Sequence, residues 1–202
     1  MRSAPRVVVI GCGALARELL ALTEALPDVH VQCVDARLHM RPEQIAAAVE
    51  SRIAQVRAEF GAGPRIFVAY ADCGTGGALD VVLEREGVER ILGAHCYEFY
   101  AGSAAYAAMQ DEEVGTFYLT DFLARQFESL VMVGLGLDRH PDLLPAYFGN
   151  YRRLVYLAQT DDAELTARAK VAADRLGLAF ERRATGYGDL APTIHHATAG
   201  GS

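Results

Sequence analysis

Residues 7–16 read VVVIGCGALA, and this stretch decides the fold. A β-branched apolar run that ends at glycine is typical of a buried first strand, and helix formers follow it directly. Further apolar runs of strand type occupy residues 29–34, 65–70 and 89–93, with helical spacing between them. This order predicts an α/β protein with a mainly parallel, Rossmann-like sheet, right-handed crossovers and helices on both faces.

The second half of the chain has a different pattern. Beyond Gly115 the spacing of apolar residues predicts a helical insertion, with one helix over residues 118–133. The sequence therefore predicts a single α/β domain over residues 1–184, which can be divided into lobes at 1–114 and 115–184. Residues 185–202 contain Gly and Pro with little apolar pattern and are predicted to form a poorly ordered tail.

Composition restricts the class of partner and the compartment. The net charge of -7 and the isoelectric point near 5.3 argue against nucleic acid or an anionic membrane surface as the main partner. The first residues are too short and polar for a signal peptide, and no apolar run is long enough to span a bilayer. We expect a cytoplasmic protein, in which the 4 cysteines are thiols or ligands rather than disulfides. An oligomer is compatible with the sequence.

Three of the cysteines occur at equivalent places in the predicted fold. Cys12, Cys73 and Cys96 each follow an apolar strand just as the chain turns into glycine or helix. Because the carboxyl ends of parallel strands share one edge of the sheet, we expect the three thiols to meet there. Three thiolates together indicate a metal ion or an iron–sulfur cluster. Cys33 lies within the second strand and is predicted to belong to the core.

The favoured prediction from these cysteines is a [4Fe–4S] cluster. Three protein thiolates leave one iron open, and an open iron acts as a Lewis acid on a small anionic substrate, as in a lyase. A zinc ion bound by the same thiolates is an alternative, and so is storage or delivery of the metal centre.

Other groups near the strand ends complete this hypothesis. The turn formed by Gly74, Thr75, Gly76 and Gly77 is predicted to hold an anionic group on its N–H groups at a helix start. Four side chains are candidates for proton transfer or for a fourth ligand position: His39, His95, Glu98 and Tyr118. Three of them also have a structural explanation: His39 as a surface loop histidine, His95 as a satisfied structural histidine and Tyr118 as a packed aromatic ring.

The same first turn supports a different class of function. Residues 11–16 match the dinucleotide-binding pattern G-x-G-x-x-A through Gly11, Gly13 and Ala16, and Asp35 ends the second strand where a ribose-binding acid is expected. An oxidoreductase that binds NAD(P) or FAD is therefore the main alternative. It gives no role to the cysteine between the two glycines.

The chain also resembles a known family over about residues 7–160. The residues that carry the resemblance are Cys12-Gly13-Ala14-Leu15 with Arg17-Glu18, Leu38-His39 with Pro42, the stretch 70–76, His95-Cys96, the stretch 115–120 and Tyr151-Arg152-Arg153. The family is a bacterial and archaeal one of unknown function, DUF1638. Its members are often encoded near corrinoid-dependent methyltransferases, so the resemblance implies a partner in such a system and a role in anaerobic one-carbon metabolism.

Overall fold

The computed structural model describes residues 4–199 and divides the chain into two compact units. The first unit combines Met1–Phe99 with Asp189–Ser202, and the second is Tyr100–Gly188. Each contains a parallel sheet with helices around it, so the predicted α/β class is confirmed. Within residues 4–199, no helix has both the length and the apolar character needed to cross a bilayer.

The sheet of the first unit has the strand order β2-β1-β3-β4. Its strands are β1 (Val7–Cys12), β2 (Val29–Val34), β3 (Arg65–Ala69) and β4 (Glu89–Arg90). All six residues of β1 are buried, as expected for an apolar strand with a neighbour on each side. From β1 the chain runs to β2 on one side of β1, and from β2 it crosses back over β1 to β3 on the other side. The strand order therefore reverses between β1 and β3, which makes this the topological switch point.

Helices fill the three crossovers of this sheet. They are α1 (Ala16–Thr23), α2 (Ile45–Phe60) and α3 (Ala78–Glu86), and α4 (Cys96–Ala101) follows β4. Because the β1-to-β2 and β2-to-β3 connections run in opposite directions, right-handed crossovers place α1 and α2 on opposite faces. The face of α2 that carries Ile45, Val49, Ile53 and Val56 is fully buried, so this helix covers the sheet with its apolar side.

The second unit contains a sheet of its own, with the order β5-β6-β7. Its elements are α5 (Ser103–Glu112), β5 (Thr116–Leu119), α6 (Asp121–Phe127), α7 (Leu144–Phe148), β6 (Arg153–Ala158), α8 (Ala163–Leu176) and β7 (Ala179–Ala184). The buried strand β6 lies in the middle and pairs in parallel with both neighbours. Its apolar core includes Leu154, Tyr156 and Leu165.

The helix predicted over residues 118–133 begins later than expected. Thr116–Leu119 pairs with β6 as a strand, and the Thr120 side chain then caps α6 by accepting the N–H of Leu123 at 3.3 Å. Beyond α6, residues Glu128–Val133 form a π-helix. A strand of four residues is too short for its own periodicity to appear in the sequence. Pairing with β6 decides its conformation.

Part of the poorly ordered tail that the sequence predicts for residues 185–202 is a helix, and residues 200–202 lie outside the described residues. Leu190–Thr198 forms helix α9 of the first unit, with Leu190, Ile194 and Ala197 buried on one face. The Arg6 guanidinium donates a hydrogen bond of 2.7 Å to the carbonyl of Thr198 and holds the helix end. Only three apolar positions define this face, and the proline in the first turn concealed the helical spacing, although a helix tolerates proline there.

Candidate functional site

A small cavity lies at the carboxyl edge of the first unit's sheet. Its volume is about 10 Å³, and the residues around it include Cys12, His39, Tyr70, Cys73, Cys96 and Phe99. Cys12 ends β1 and Cys73 follows β3, so the cavity is at the topological switch point where open α/β sheets bind ligands. The structure thus brings together the three cysteines that the sequence places at strand ends.

Cys12 is the most deeply buried of the three cysteines. It is 3% exposed, and its Sγ accepts the N–H of Ala14 at 3.4 Å, which caps the short 3-10 turn Gly13–Leu15. Burial raises the pKa of the Cys12 thiol, and the Ala14 N–H only partly offsets this effect. Cys12 therefore carries its proton at neutral pH while no metal or other cation is beside it.

His39 comes to the same place from the turn that follows β2. Its Nδ1 is 3.6 Å from Cys12 Sγ and 3.2 Å from the carbonyl oxygen of Ala36, although the residue is exposed on the surface. Burial of the ring opposes its charged form. A hydrogen bond and the charge of Cys73 outweigh this and raise the pKa of the imidazole. His39 is thus the histidine that is in contact with the thiols.

Cys73 has an unusual backbone conformation. Among residues 4–199 it is the one residue other than glycine with a positive φ, at 50°. Its N–H donates to the carbonyl of Ala94 at 2.8 Å, and the N–H of Asp72 donates to Gly93 at 3.0 Å. These bonds join the turn after β3 to the loop that precedes Cys96. A strained left-handed residue that the surrounding structure holds in place is typical of functional sites.

Cys96 is the first residue of α4 and completes the cluster. Burial, followed by the neighbouring Cys73 and Cys12 thiols, raises its pKa well above the ordinary value. The effect of Cys73 and Cys12 on the pKa of Cys96 agrees with the three residues lining one cavity.

The strain at Cys73 can be measured. We expect Cys73→Gly to unfold with a free energy about 1 kcal/mol higher than Cys73→Ala, because glycine adopts a positive φ without steric conflict. Both variants lack the thiol, so chemical denaturation of the two proteins isolates the backbone effect. Equal stability of the two variants would show that the left-handed conformation is not strained.

The glycine-rich turn after Cys73 is closed by its own carboxylate. Asp72 accepts the Thr75 hydroxyl at 2.5 Å and the N–H groups of Gly77 at 3.0 Å and Gly76 at 3.2 Å. The Thr75 hydroxyl is the main cause of a lowered pKa at Asp72, and the backbone N–H groups, that of Gly74 included, add to it. An external anion would have to displace this carboxylate. We therefore assign no anion-binding role to this turn.

The remaining candidate side chains lie in other environments. Glu98 accepts the N–H of Ala94 at 2.8 Å and so stabilises the loop before α4. His95 is exposed, and its ring packs at 6.3 Å from that of Tyr97. Tyr118 belongs to the second unit, where its ring lies 5.4 Å from that of Tyr106. A role of these three residues in proton transfer stays a prediction.

The glycines of the dinucleotide-like turn have packing roles in this fold. A Cβ on Gly11 would lie 2.3 Å from a methyl group of the buried Leu19, and one on Gly13 would lie 2.9 Å from the carbonyl oxygen of Val34. Asp35 accepts the N–H of Arg37 at 2.9 Å and also forms an ion pair with its side chain. Binding of NAD(P) or FAD stays a prediction, and these contacts explain the motif without it.

Gly13→Ala tests this packing role. The new methyl group would meet backbone atoms of Val34 and Ala36, which cannot rotate away, so we expect the free energy of unfolding to fall by about 1–3 kcal/mol. Gly63→Ala is the matched control, because its Cβ would meet only the Phe60 carbonyl oxygen at 3.9 Å. Urea denaturation of both variants makes the comparison. Equal stability of Gly13→Ala and wild type would contradict the packing role.

Sequence reasoning missed one residue of the site. Tyr70 directly follows β3 and is 0% exposed, and its ring stacks on that of His39 with centroids 6.2 Å apart. Its hydroxyl faces the Cys12 thiol and is close enough to Cys73 and Cys96 for electrostatic interaction. It nevertheless has no hydrogen-bond partner of good geometry within the described residues. The signal available in the sequence was a polar aromatic residue at the switch-point end of a buried strand.

The arrangement as it stands is a cluster of thiols rather than a formed coordination shell. No group of three or more His, Cys, Asp or Glu side chains among residues 4–199 is placed to hold a metal ion. Metal binding would therefore require the side chains around the cavity to rotate.

Fold and site together define a doubly wound α/β protein with a thiol-lined cavity at its topological switch point. A family profile, described as "Protein of unknown function (DUF1638)", matches residues 33–194. The chain belongs to this family. The comparison with curated proteins found no match, and neither did the comparison with solved structures.

Proposed function

We propose that this chain is a metalloprotein in which Cys12, Cys73 and Cys96 bind a metal centre. The observation that carries the proposal is that three thiols from three separate strand ends line a single cavity at the switch point. Soft thiolate ligands select iron–sulfur clusters, zinc and Cu(I) over magnesium or calcium. The first candidate is a [4Fe–4S] cluster, because three cysteines leave one iron open for a ligand.

Two further features favour a metal over a simple packed core. Packing alone gives no reason for a cysteine at the strained position 73, where glycine would fit without cost. Tyr70 buries a hydroxyl without a hydrogen-bond partner of good geometry among the described residues, and phenylalanine would avoid that penalty. Both observations are typical of a site that is completed by another group.

A single zinc ion is the second candidate, and two observations favour it. The cavity of about 10 Å³ has room for one atom-sized guest, and the His39 imidazole beside Cys12 offers a nitrogen as fourth ligand. Three thiolates and one imidazole would make up the four-ligand set that a structural zinc ion takes.

The proposed chemistry of the cluster form is Lewis-acid catalysis. An open iron would bind an oxygen of a small anionic substrate and polarise it, which is a lyase-type role. His39 is the side chain best placed to carry a proton, since its Nδ1 is in contact with Cys12 and the residue lies at the protein surface. The metal itself would hold the anionic group, because the glycine-rich turn is occupied by Asp72.

Metal analysis of anaerobically purified protein tests the proposal. We expect a brown protein with absorbance near about 400 nm and about four iron and four sulfide per chain if the centre is a [4Fe–4S] cluster. Stoichiometric zinc in a colourless protein would identify the second candidate. Binding should release protons, because burial keeps the Cys12 and Cys96 thiols protonated beforehand. The absence of both metals, with no uptake on reconstitution, would overturn the proposal.

We also propose a setting for this centre, supported by the family resemblance alone. A protein encoded near corrinoid-dependent methyltransferases would act on or with such a system in one-carbon metabolism. Co-purification of a corrinoid protein, identified by its cobalamin absorbance, would support this assignment. A chain that binds metal but no corrinoid protein would restrict the proposal to the metal centre.

A further inference from the structure

The Tyr70 ring has a fixed position at the base of the site. It follows β3 directly, is completely buried, and stacks on the His39 ring at an interplanar angle of 24°. Its position after the strand and the stacked His39 ring leave little freedom for the Tyr70 side chain, which lines the same cavity as Cys12.

This hydroxyl is an unsatisfied buried donor within residues 4–199. Leaving such a group without a partner costs about 1–3 kcal/mol. Phenylalanine at this position has no hydroxyl and would not carry this cost. An economical explanation is a partner that becomes a strong acceptor only when the site is filled.

The sulfur atom of Cys12 would become such an acceptor when a metal binds. A protonated thiol is a weak acceptor, whereas a metal-bound sulfur is a thiolate and forms a charge-assisted hydrogen bond. Its other neighbours are the Ala14 N–H at 3.4 Å and His39 Nδ1 at 3.6 Å. A thiolate sulfur accepts more than one hydrogen bond, so the Tyr70 hydroxyl can add a further donor to this atom.

We infer that Tyr70 is a positioning residue of the metal centre, whose hydroxyl donates a hydrogen bond to the metal-bound thiolate of Cys12. This inference rests on the proposed metal site and adds a residue that neither the sequence motifs nor the family description assigns. Hydrogen bonds to ligand sulfur orient the ligand and lower its electron donation to the metal.

Titration of the metal-free chain with Co²⁺ tests the inference. Removing an outer hydrogen bond to a ligand typically weakens metal affinity about 10–100-fold, and we expect this loss for Tyr70→Phe. The sulfur-to-cobalt charge-transfer band should move to longer wavelength, because the sulfur becomes a better electron donor. Tyr147→Phe, which removes a phenol from an exposed residue, should bind Co²⁺ as wild type does.

Two measurements separate this role from a structural one. The metal-free Tyr70→Phe protein should be at least as stable as wild type, since it no longer buries an unsatisfied hydroxyl. A fluorinated tyrosine at position 70 is a stronger donor and should move the band to shorter wavelength. Wild-type affinity together with an unmoved band in Tyr70→Phe would overturn the inference alone. Failure of the wild-type chain to bind Co²⁺ would overturn the metal site and this inference together.

Discussion

Cys96→Ala is expected to lose its metal, with an affinity more than about 100-fold below that of wild type, since even outer-shell changes cost 10–100-fold. Cys96 is one of three thiols on the cavity, and its sulfur interacts electrostatically with Cys73 and Cys12. Two remaining thiolates cannot hold a cluster or complete a tetrahedral zinc site. Cys12→Ala and Cys73→Ala should behave in the same way. Metal and sulfide content after anaerobic purification measures the effect.

Cys33→Ala is the matched control for these variants. Cys33 lies in β2 opposite Gly11, and burial, with a smaller effect of Cys12, raises its pKa to about 11. Cys33 is not among the residues that line the cavity, so its thiol is not placed to bind a metal there. The control should therefore keep wild-type metal content. Retention of metal by Cys96→Ala, or its loss from Cys33→Ala, would contradict the assignment of the ligands.

Asp121→Ala should lower the free energy of unfolding of the second unit by about 3–5 kcal/mol. Asp121 is 0% exposed, and its carboxylate accepts the Tyr156 hydroxyl at 2.7 Å and the N–H groups of Gln159 at 3.0 Å and Thr160 at 3.1 Å. The Thr160 hydroxyl is a fourth donor at 2.5 Å. Alanine would leave the Tyr156 hydroxyl and the Gln159 N–H buried without their acceptor, next to the start of α6.

Urea denaturation followed by circular dichroism measures this effect. Asp111→Ala removes an exposed carboxylate from α5 and should change stability by less than about 0.5 kcal/mol. Asp121→Asn should give an intermediate loss, because the amide keeps one acceptor but turns its NH₂ toward the facing donors. A change below about 1 kcal/mol for Asp121→Ala would show that water replaces the carboxylate and that the network does not stabilise the unit.

Much of the first unit could be predicted from the sequence because its signals are local. The apolar run of β1 and the glycines after it indicate a strand followed by a helix wherever they occur. Parallel strands joined by right-handed crossovers must end at one edge, so the meeting of Cys12, Cys73 and Cys96 followed from their positions at strand ends. Family membership was likewise visible from short motifs.

Other features depend on which segments meet in space. The strand at Thr116–Leu119 exists because β6 pairs with it, and α9 is helical because the first unit buries its one apolar face. Asp72 closes a turn that, from its sequence, could equally have bound an external anion.

The sequence by itself determined the class of fold and the edge of the sheet at which three thiols collect, because both follow from the alternation of strands and helices along the chain. Only the tertiary structure decided that His39 reaches Cys12, that Tyr70 places an unsatisfied hydroxyl beside the same sulfur, and that Cys73 is held at a positive φ. The physical reason is that these features depend on side-chain distances and backbone angles set by packing between distant segments, which no local pattern of residues records.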